Sequence, residues 1–338
     1  MRHQTSCKRF LKALKKVNGF TLIELMVSLS ISLVIVIVAS YAYLGTRESQ
    51  RTLLEKAYAF ESAKFALDVI GRDIENAGFY PAIRSETGSE TPNAMTVENY
   101  INPLPASPPT AFNTPVFGCQ AERFLPASQV CAAHNATVDA DALVINYYTS
   151  DATGLDIGNR ADCLRQDAAN DEATNNQTGH VRRHVAHAST AMAERPFLTP
   201  QHPLFVSNRY TLIATTLQIE GQSIDTFSLA CHGNGQATPD NTYLSIIPGV
   251  DQLRFYFLVK TGTSSRFRLA DAVGADWPNV IAVRVCLLAR SLQSARLQGR
   301  TSYALEDCDG TSHAYTDGVE RRVFSQLFAL NNQLHDTF

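Results

Sequence analysis

The longest uninterrupted apolar run of the chain lies close to its N-terminus. From Phe20 to Leu44 the sequence has no Lys, Arg, Asp, His or Pro, and it has one acidic residue, Glu24. A helix rises about 1.5 Å per residue, so this run is long enough to cross a hydrocarbon core of about 30 Å. The pattern therefore predicts a transmembrane helix over residues 20–44.

After Leu44 the pattern changes to that of an amphipathic helix over residues 45–80. Gly78 supplies a C-cap residue and Pro81 a stop, so we expect one continuous helix to end there. Apolar residues recur at spacings of three and four, and we expect this stripe to pack on an exported domain. Its members are Leu53, Ala57, Phe60, Ala63, Leu67, Ile70 and Ile74.

The remainder, residues 81–338, is predicted to be a β-rich exported domain. Prolines make Ile83 to Val138 loop-like, and a polar insertion occupies about 150–200. Runs rich in Val, Ile, Leu, Phe and Tyr then predict strands with no helices between them, and hence an antiparallel sheet or sandwich. These runs are Ala142–Tyr148, Arg209–Leu217, Thr226–Cys231, Gln252–Val259, Val280–Leu288 and Val319–Leu330. The predicted fold class is α+β, a long N-terminal helix followed by a disulfide-bonded β domain.

Charge is distributed unevenly along the chain. Residues 1–19 hold six of the 29 Lys and Arg residues and none of the 32 Asp and Glu residues. Basic residues before an apolar segment predict a cytoplasmic N-terminus and an exported remainder. Residues 20–338 therefore have 23 basic and 32 acidic residues, a formal charge of −9. That balance argues against a broad nucleic-acid-binding surface, and no direct nucleic-acid binding is predicted.

Cysteine usage agrees with export. Cys7 precedes the apolar run, and six cysteines follow it: Cys119, Cys131, Cys163, Cys231, Cys286 and Cys308. An even number beyond a membrane segment indicates three disulfides in an oxidising compartment, with fifteen possible connectivities. Pairing neighbours in sequence favours Cys119–Cys131, Cys163–Cys231 and Cys286–Cys308.

Catalytic and metal-binding patterns are weak. His180, His184 and His187 have the spacing of one helix face, as in some zinc sites, but Arg182 and Arg183 intervene. A solvated surface helix is therefore the favoured interpretation of this segment. The chain has no G-x-S-x-G, P-loop or G-x-G-x-x-G motif. We expect no cofactor and no catalysis.

The start of the apolar run carries a more specific pattern. Gly19-Phe20-Thr21-Leu22-Ile23-Glu24 is followed directly by the apolar run. It resembles the signal of type IV prepilins and type II secretion pseudopilins. The resemblance implies that prepilin peptidase cuts between Gly19 and Phe20 and methylates the new amine of Phe20. It also implies that the Glu24 carboxylate faces the Phe20 ammonium of a neighbouring subunit during assembly.

The second half of the chain resembles the PilW minor pilins. The similar segments are Pro248–Leu253, Val283–Leu287 and Arg321–Phe324, together with Asp73–Phe79 at the helix end. They are individually loose, and their order carries the resemblance. Asn331-Asn332 departs from the Arg-Asn pair that often ends the family, which leaves the role of that tail open. The chain also lacks the proline found midway in the apolar segment of many major pilins.

The resemblance implies a non-catalytic role in type IV pilus assembly. The protein would be a single-pass inner-membrane protein with a cytoplasmic N-terminus, and then part of the pilus. It would prime the filament near its tip, with roles in adhesion, twitching motility or DNA uptake following indirectly. Implied partners are prepilin peptidase, the major pilin and other minor pilins, a PilY-type tip adhesin and the inner-membrane assembly platform.

Two alternatives stay open at this point. The first is a type II secretion pseudopilin of the J type, which also has a helix followed by a β domain. The second is a membrane-anchored periplasmic enzyme or metal-binding protein that uses the His180–His187 segment. An intact N-terminus with bound zinc would favour the second alternative.

Overall fold

The structure, a computed structural model, describes residues 21–79, 114–134, 138–148, 162–166, 205–219, 221–235, 241–292 and 302–332. The chain divides into two compact units, Met1–Leu53 and Leu54–Phe338. The apolar part of the N-terminal helix belongs to the first unit, and the β domain belongs to the second.

Helix α1 spans Leu22–Asn76. It continues through Gly45. A glycine could interrupt a helix because it has no side chain, but this one does not. Gly78 follows the helix with a φ of 71°, a conformation that favours glycine and that is common directly after a helix. The predicted C-cap is therefore confirmed.

The buried face of α1 differs from the predicted stripe. Ala63, Leu67, Ile70 and Ile74 are buried as expected. Phe60 is half exposed, however, and the buried positions begin at Ala59. Small residues, among them Ala59, Ser62, Ala66 and Gly71, occupy the face instead. Because the helix lies close to the domain, a small side chain matters more at these positions than a hydrophobic one.

The β domain has fourteen strands among the described residues. Their bounds are β1 Val116–Cys119, β2 Glu122–Leu125, β3 Val130–Ala133, β4 Asp139–Ala140, β5 Ala142–Tyr148, β6 Phe205–Ile219, β7 Gln222–His232, β8 Leu244–Pro248, β9 Val250–Thr261, β10 Ser264–Arg268, β11 Val280–Arg290, β12 Tyr303–Glu306, β13 Ser312–Tyr315 and β14 Arg321–Ala329. A short helix α2, Ala270–Val273, and a 3₁₀ helix, Gly274–Asn279, separate β10 from β11.

These strands form two main sheets and two hairpins. The first sheet has the order β1-β5-β6-β7-β8, and the second has β10-β9-β11-β14 with β4 beside β9. Pairing is antiparallel except between β4 and β9, which are parallel. β2 pairs with β3, and β12 pairs with β13. The predicted α+β fold class is confirmed, with this one parallel pair as an addition.

The six predicted strands all exist, and most are longer than predicted. β6 extends the run predicted over Arg209–Leu217 at both ends, and β7 extends Thr226–Cys231 likewise. Prediction of a loop-like region up to Val138 was wrong in part, because β1, β2 and β3 lie there. Each of these strands has only four residues. β1 lies at the edge of its sheet, where a nearby proline is tolerated.

One hydrophobic core joins α1 to both sheets. It contains Ile70 and Ile74 from the helix, Tyr210 from the first sheet, and Phe255 and Phe257 from the second, all of them fully buried. Burying each large side chain contributes roughly 1.5–3 kcal/mol. The last turns of α1 are thus part of the core of the domain.

Three disulfides fasten connecting segments to these sheets. They are Cys119–Cys131, Cys163–Cys231 and Cys286–Cys308, which are the three pairs of sequence neighbours. The third links β11 to the turn of the β12–β13 hairpin.

Gly71 provides a test of the close packing between α1 and β14. A Cβ atom added there would lie 2.1 Å from Cε1 of the buried Phe328. We expect Gly71→Ala to destabilise the domain by about 1–3 kcal/mol, in spite of the gain of about 1 kcal/mol that Ala brings to a helix. Thermal unfolding of the full chain in detergent measures this. Gly45→Ala is the matched control, because nothing lies within 4 Å of its added Cβ. An unchanged or higher Tm for Gly71→Ala would contradict the packing described.

Candidate functional site

The first turn of α1 closes on itself through Thr21 and Glu24. Glu24 Oε2 accepts a hydrogen bond from the Thr21 backbone N–H at 3.1 Å and another from the Thr21 hydroxyl at 2.9 Å. In return, the Glu24 N–H donates to Thr21 Oγ1 at 3.4 Å. This is a capping box, in which residues three apart satisfy each other's free amides.

The apolar side chains that follow are exposed around the whole helix. Leu22, Ile23 and Met26 are exposed by 80%, 70% and 61% of their surface, and Leu44 at the far end by 62%. Among the described helices, α1 is the one that is long and apolar enough to cross a membrane. Such a surface requires lipid or other apolar helices around it.

The serine side chains within this segment are satisfied inside the helix. The hydroxyls of Ser30, Ser32 and Ser40 each donate to the carbonyl four residues earlier, at 2.7–2.8 Å. Ser28 donates to the carbonyl of Leu25 at 3.0 Å. They therefore require no partner in an apolar environment.

Glu24 differs from these hydroxyls because its charge is not neutralised within the helix. Both hydrogen bonds from Thr21 reach the same oxygen, Oε2, so Oε1 stays available as an acceptor among the described contacts. No basic residue occurs between Phe20 and Leu44. A cation that meets this carboxylate has to come from elsewhere. Gly19 and Phe20, where cleavage is predicted, lie outside the described residues.

A second polar group connects the end of α1 to the first sheet. Asp73 Oδ2 accepts hydrogen bonds from Asn208 Nδ2 at 2.6 Å and from the Tyr210 hydroxyl at 2.5 Å. Its Oδ1 accepts one from the Tyr147 hydroxyl at 3.3 Å. We call these four residues the Asp73 cluster. It fixes both the rotation and the height of the helix on β5 and β6.

Burial changes the acid–base behaviour of the Asp73 cluster. Desolvation raises the pKa of Asp73, although the three hydrogen bonds and the nearby Arg72 oppose that shift. Burial and the adjacent Asp73 charge also raise the pKa values of Tyr147 and Tyr210 well above the ordinary value. The two tyrosines therefore remain hydrogen-bond donors at neutral pH.

Asn332 closes the C-terminal end of α1. Its Nδ2 donates to the carbonyls of Asn76 at 3.3 Å and Ala77 at 3.1 Å. Carbonyls at a helix end have no partner within the helix, so this side chain supplies one. The Asn331-Asn332 tail thus has a structural role that the sequence left open.

Three carboxylates gather on the outer face of the second sheet. Asp139, Asp307 and Asp309 lie close enough for one ion to contact all of them. The chain provides its own donors there, because Gln252 Nε2 lies within 3.3 Å of an oxygen of each carboxylate and Arg254 bonds to Asp139 and Asp309. This group therefore holds the β12–β13 hairpin against β9, beside the Cys286–Cys308 disulfide.

The structure bears on the predicted site residues to different degrees. Glu24 lies at the helix start as predicted, and all six cysteines are paired. The histidines considered as metal ligands, His180, His184 and His187, lie outside the described residues. Sequence reasoning missed the role of Thr21, although the T-x-x-E spacing is a recognisable capping signal. It also missed the Asp73 cluster, which no local sequence pattern indicates.

Comparison with known proteins gives two family matches. The model of the type IV pilus-assembly protein W family, PilW, matches residues 214–332. The model of the prokaryotic N-terminal methylation motif matches residues 14–40. Among the curated proteins, none matches this chain significantly. The two matches cover the capping box with its apolar helix, and the strands from β6 to β14.

A solved structure of a type IV-like pilin from Thermus thermophilus is also similar. It is 9% identical in sequence, with 81% of this chain and 96% of that chain covered and a TM-score of 0.36.

The Asp73 cluster predicts a specific pH dependence. Because the pKa of Asp73 is raised in the folded state, its protonated form favours folding. That contribution is present below the unfolded pKa and is lost as the pH rises through the folded pKa. We therefore expect the wild type to gain stability relative to Asp73→Asn as the pH falls from 7 to 4. Urea unfolding of both proteins across this range measures the difference. Asp68→Asn, at an exposed position of the same helix, should show no such trend. A difference that stays constant, or that changes in the opposite direction, would contradict the burial of this charge.

Proposed function

We propose that the chain is a type IV pilus minor pilin of the PilW family, and that it primes and assembles type IV pili near the pilus tip together with other minor pilins. The observation that carries the proposal is the Glu24 carboxylate at the start of an exposed apolar helix, which has no basic partner among the described residues. Its role is structural and involves no catalysis.

The proposal begins with maturation of the N-terminus. Residues 1–19 form a leader that prepilin peptidase removes between Gly19 and Phe20, and the new amine of Phe20 is methylated. Residues 20–44 then form the membrane and filament-core helix. Residues 45–76 continue that helix, and the exported domain follows, with a polar insertion at about 150–200. The match of the methylation motif to residues 14–40 supports this division.

Charge pairing gives the mature helix a reason to enter a bundle. The ammonium of Phe20 on one subunit and the Glu24 carboxylate of its neighbour have opposite charges in a medium of low dielectric constant. Each alone is costly there, whereas the pair attracts strongly. The capping box supports this role, because Thr21 holds the carboxylate in place while Oε1 faces no other described donor.

The same apolar helix determines the proposed location of the protein in the cell. Before assembly the protein is a single-pass inner-membrane protein with a cytoplasmic N-terminus and a periplasmic domain. The assembly platform then transfers the helix from lipid into the filament. The basic leader and the three disulfides support this topology.

Within the pilus, the proposed location of the protein is near the tip. A minor pilin there would contact other minor pilins, the major pilin and a PilY-type adhesin. Attachment, twitching motility and DNA uptake would depend on it through the pilus. The PilW match over residues 214–332 favours a pilus over a secretion pseudopilus of the J type, and a structural role over that of a periplasmic enzyme.

Two substitutions of Glu24 separate its charge from its capping role. Glu24→Gln keeps an acceptor for Thr21, since Gln also completes a capping box, but it removes the charge. Glu24→Ala removes both. We expect each variant to insert into the membrane at the normal level and to fall at least tenfold in sheared pili, as measured by quantitative immunoblotting. If Glu24→Gln enters pili as the wild type does, charge pairing is not what drives assembly.

A further inference from the structure

Tyrosines mark the C-terminal end of the apolar run of α1. From Phe20 to Leu44 the aromatic residues are Phe20 at one end and Tyr41 and Tyr43 at the other. The side chains of the two tyrosines are exposed by 77% and 61% of their surface. Tyrosine is enriched where the hydrocarbon core of a bilayer meets the head groups, because its ring is apolar and its hydroxyl is polar. The pattern therefore favours a membrane surface at Tyr41 and Tyr43.

Arg47 lies one helical turn beyond Tyr43 and reaches back over it. It is the first charged residue after Glu24. Its guanidinium carbon lies 5.5 Å from the centroid of the Tyr43 ring. Side chains on a helix lean toward its N-terminus, which here is the direction of the apolar run. The cation is therefore held close to the level of the tyrosine ring and does not extend farther from the apolar run.

Within the described part of the chain, the Arg47 guanidinium has no acceptor. It stacks on Tyr43, and it makes no hydrogen bond or ion pair there. A guanidinium has five N–H donors in a planar fork, which matches the oxygens of a phosphate group. Phosphate is also the anion that a phospholipid bilayer presents just outside its hydrocarbon core. The arrangement of Arg47 on Tyr43 thus fits a lipid head group.

The spacing of polar residues along α1 matches the thickness of a bilayer. Glu24 and Tyr43 are separated by about 28 Å along the helix, and a hydrocarbon core is about 30 Å thick. Arg47 lies about 6 Å farther along, at the depth of the head groups. With Tyr43 at one boundary of the core, Glu24 lies at the opposite boundary, where water reaches its carboxylate. A charge at that depth costs far less free energy than a charge at the bilayer centre.

We propose that Tyr43 and Arg47 form a phospholipid-binding site that sets the depth of α1 in the membrane. The Arg47 guanidinium donates to a lipid phosphate on the periplasmic side, while the Tyr43 ring lies at the boundary of the hydrocarbon core. This contact holds Glu24 at the cytoplasmic boundary until the helix leaves the lipid. The inference rests on the proposed function, which supplies the membrane and the direction in which the helix crosses it.

Solid-state NMR of the full chain in phosphatidylglycerol vesicles measures this contact directly. 3-Fluorotyrosine at position 43 keeps the ring and the hydroxyl, and dephasing of its ¹⁹F signal by lipid ³¹P reports how close the two nuclei are. We expect clear dephasing at this position. 4-Fluorophenylalanine at position 34, midway between Glu24 and Tyr43, should show at least fivefold less dephasing. Equal dephasing at the two positions would contradict the proposed depth.

Substitution of Arg47 tests whether the cation holds the phosphate. Arg47→Gln removes the charge and the planar fork from an exposed position, and it leaves the apolar run intact, so insertion into the vesicles is unaffected. We expect the dephasing at position 43 to fall at least twofold. Arg51→Gln is the matched control, because Arg51 lies about 12 Å beyond Tyr43 and thus outside the head groups. Dephasing that is unchanged in Arg47→Gln, or equally reduced in Arg51→Gln, would overturn the proposal.

A lipid without phosphate separates the head group from a free anion. In galactolipid vesicles with inorganic phosphate in the buffer, we expect no dephasing at position 43. Dephasing there would mean that Arg47 binds free phosphate, and the proposed lipid site would be wrong. The vesicles contain no pili, so failure of this contact is distinct from failure of the proposed function, which the Glu24 variants test in cells.

Discussion

Residues 22–44 of α1 expose a long apolar surface. Each large apolar side chain left in water instead of an apolar medium costs roughly 1.5–3 kcal/mol, and this segment has a long series of them on every side of the helix. The serine hydroxyls are satisfied within the helix, and Glu24 is the one charged residue between Phe20 and Leu44. In the proposed function, lipid covers this apolar surface before assembly, and sister helices cover it and pair with the charge afterwards.

Where α1 joins the β domain, its side chains are buried instead of exposed. There Ala59, Ala63, Ala66 and Gly71 face the sheets, and small side chains let the helix approach closely. The Asp73 cluster and Asn332 then fix the last turns through hydrogen bonds to the first sheet and to the tail.

Local pattern was sufficient for much of this fold. The helix, its end at Gly78 and the six strand-forming runs could be predicted because each signal lies within one short stretch of chain. Pairing of sequence-neighbouring cysteines also agrees with the structure. The short strands β1 to β3 escaped prediction, because four residues carry too little pattern beside several prolines.

Contacts between distant residues could not be predicted in this way. Asp73 meets Asn208 and Tyr210 across separations of 135 and 137 residues, and only the fold brings them together. The buried face of α1 was misassigned near Phe60 for a similar reason, since periodicity gives the apolar side of a helix but not where the domain begins to cover it.

The most direct test of the central claim is mass spectrometry of the N-terminus of the native protein. The full chain is isolated both from membranes and from sheared pili of cells that express it from its own start codon. The account predicts that the chain in pili begins with N-methylated Phe20 and lacks residues 1–19. A chain in pili that still begins at Met1, or that carries an unmodified N-terminus elsewhere, would contradict the pairing of a Phe20 ammonium with Glu24.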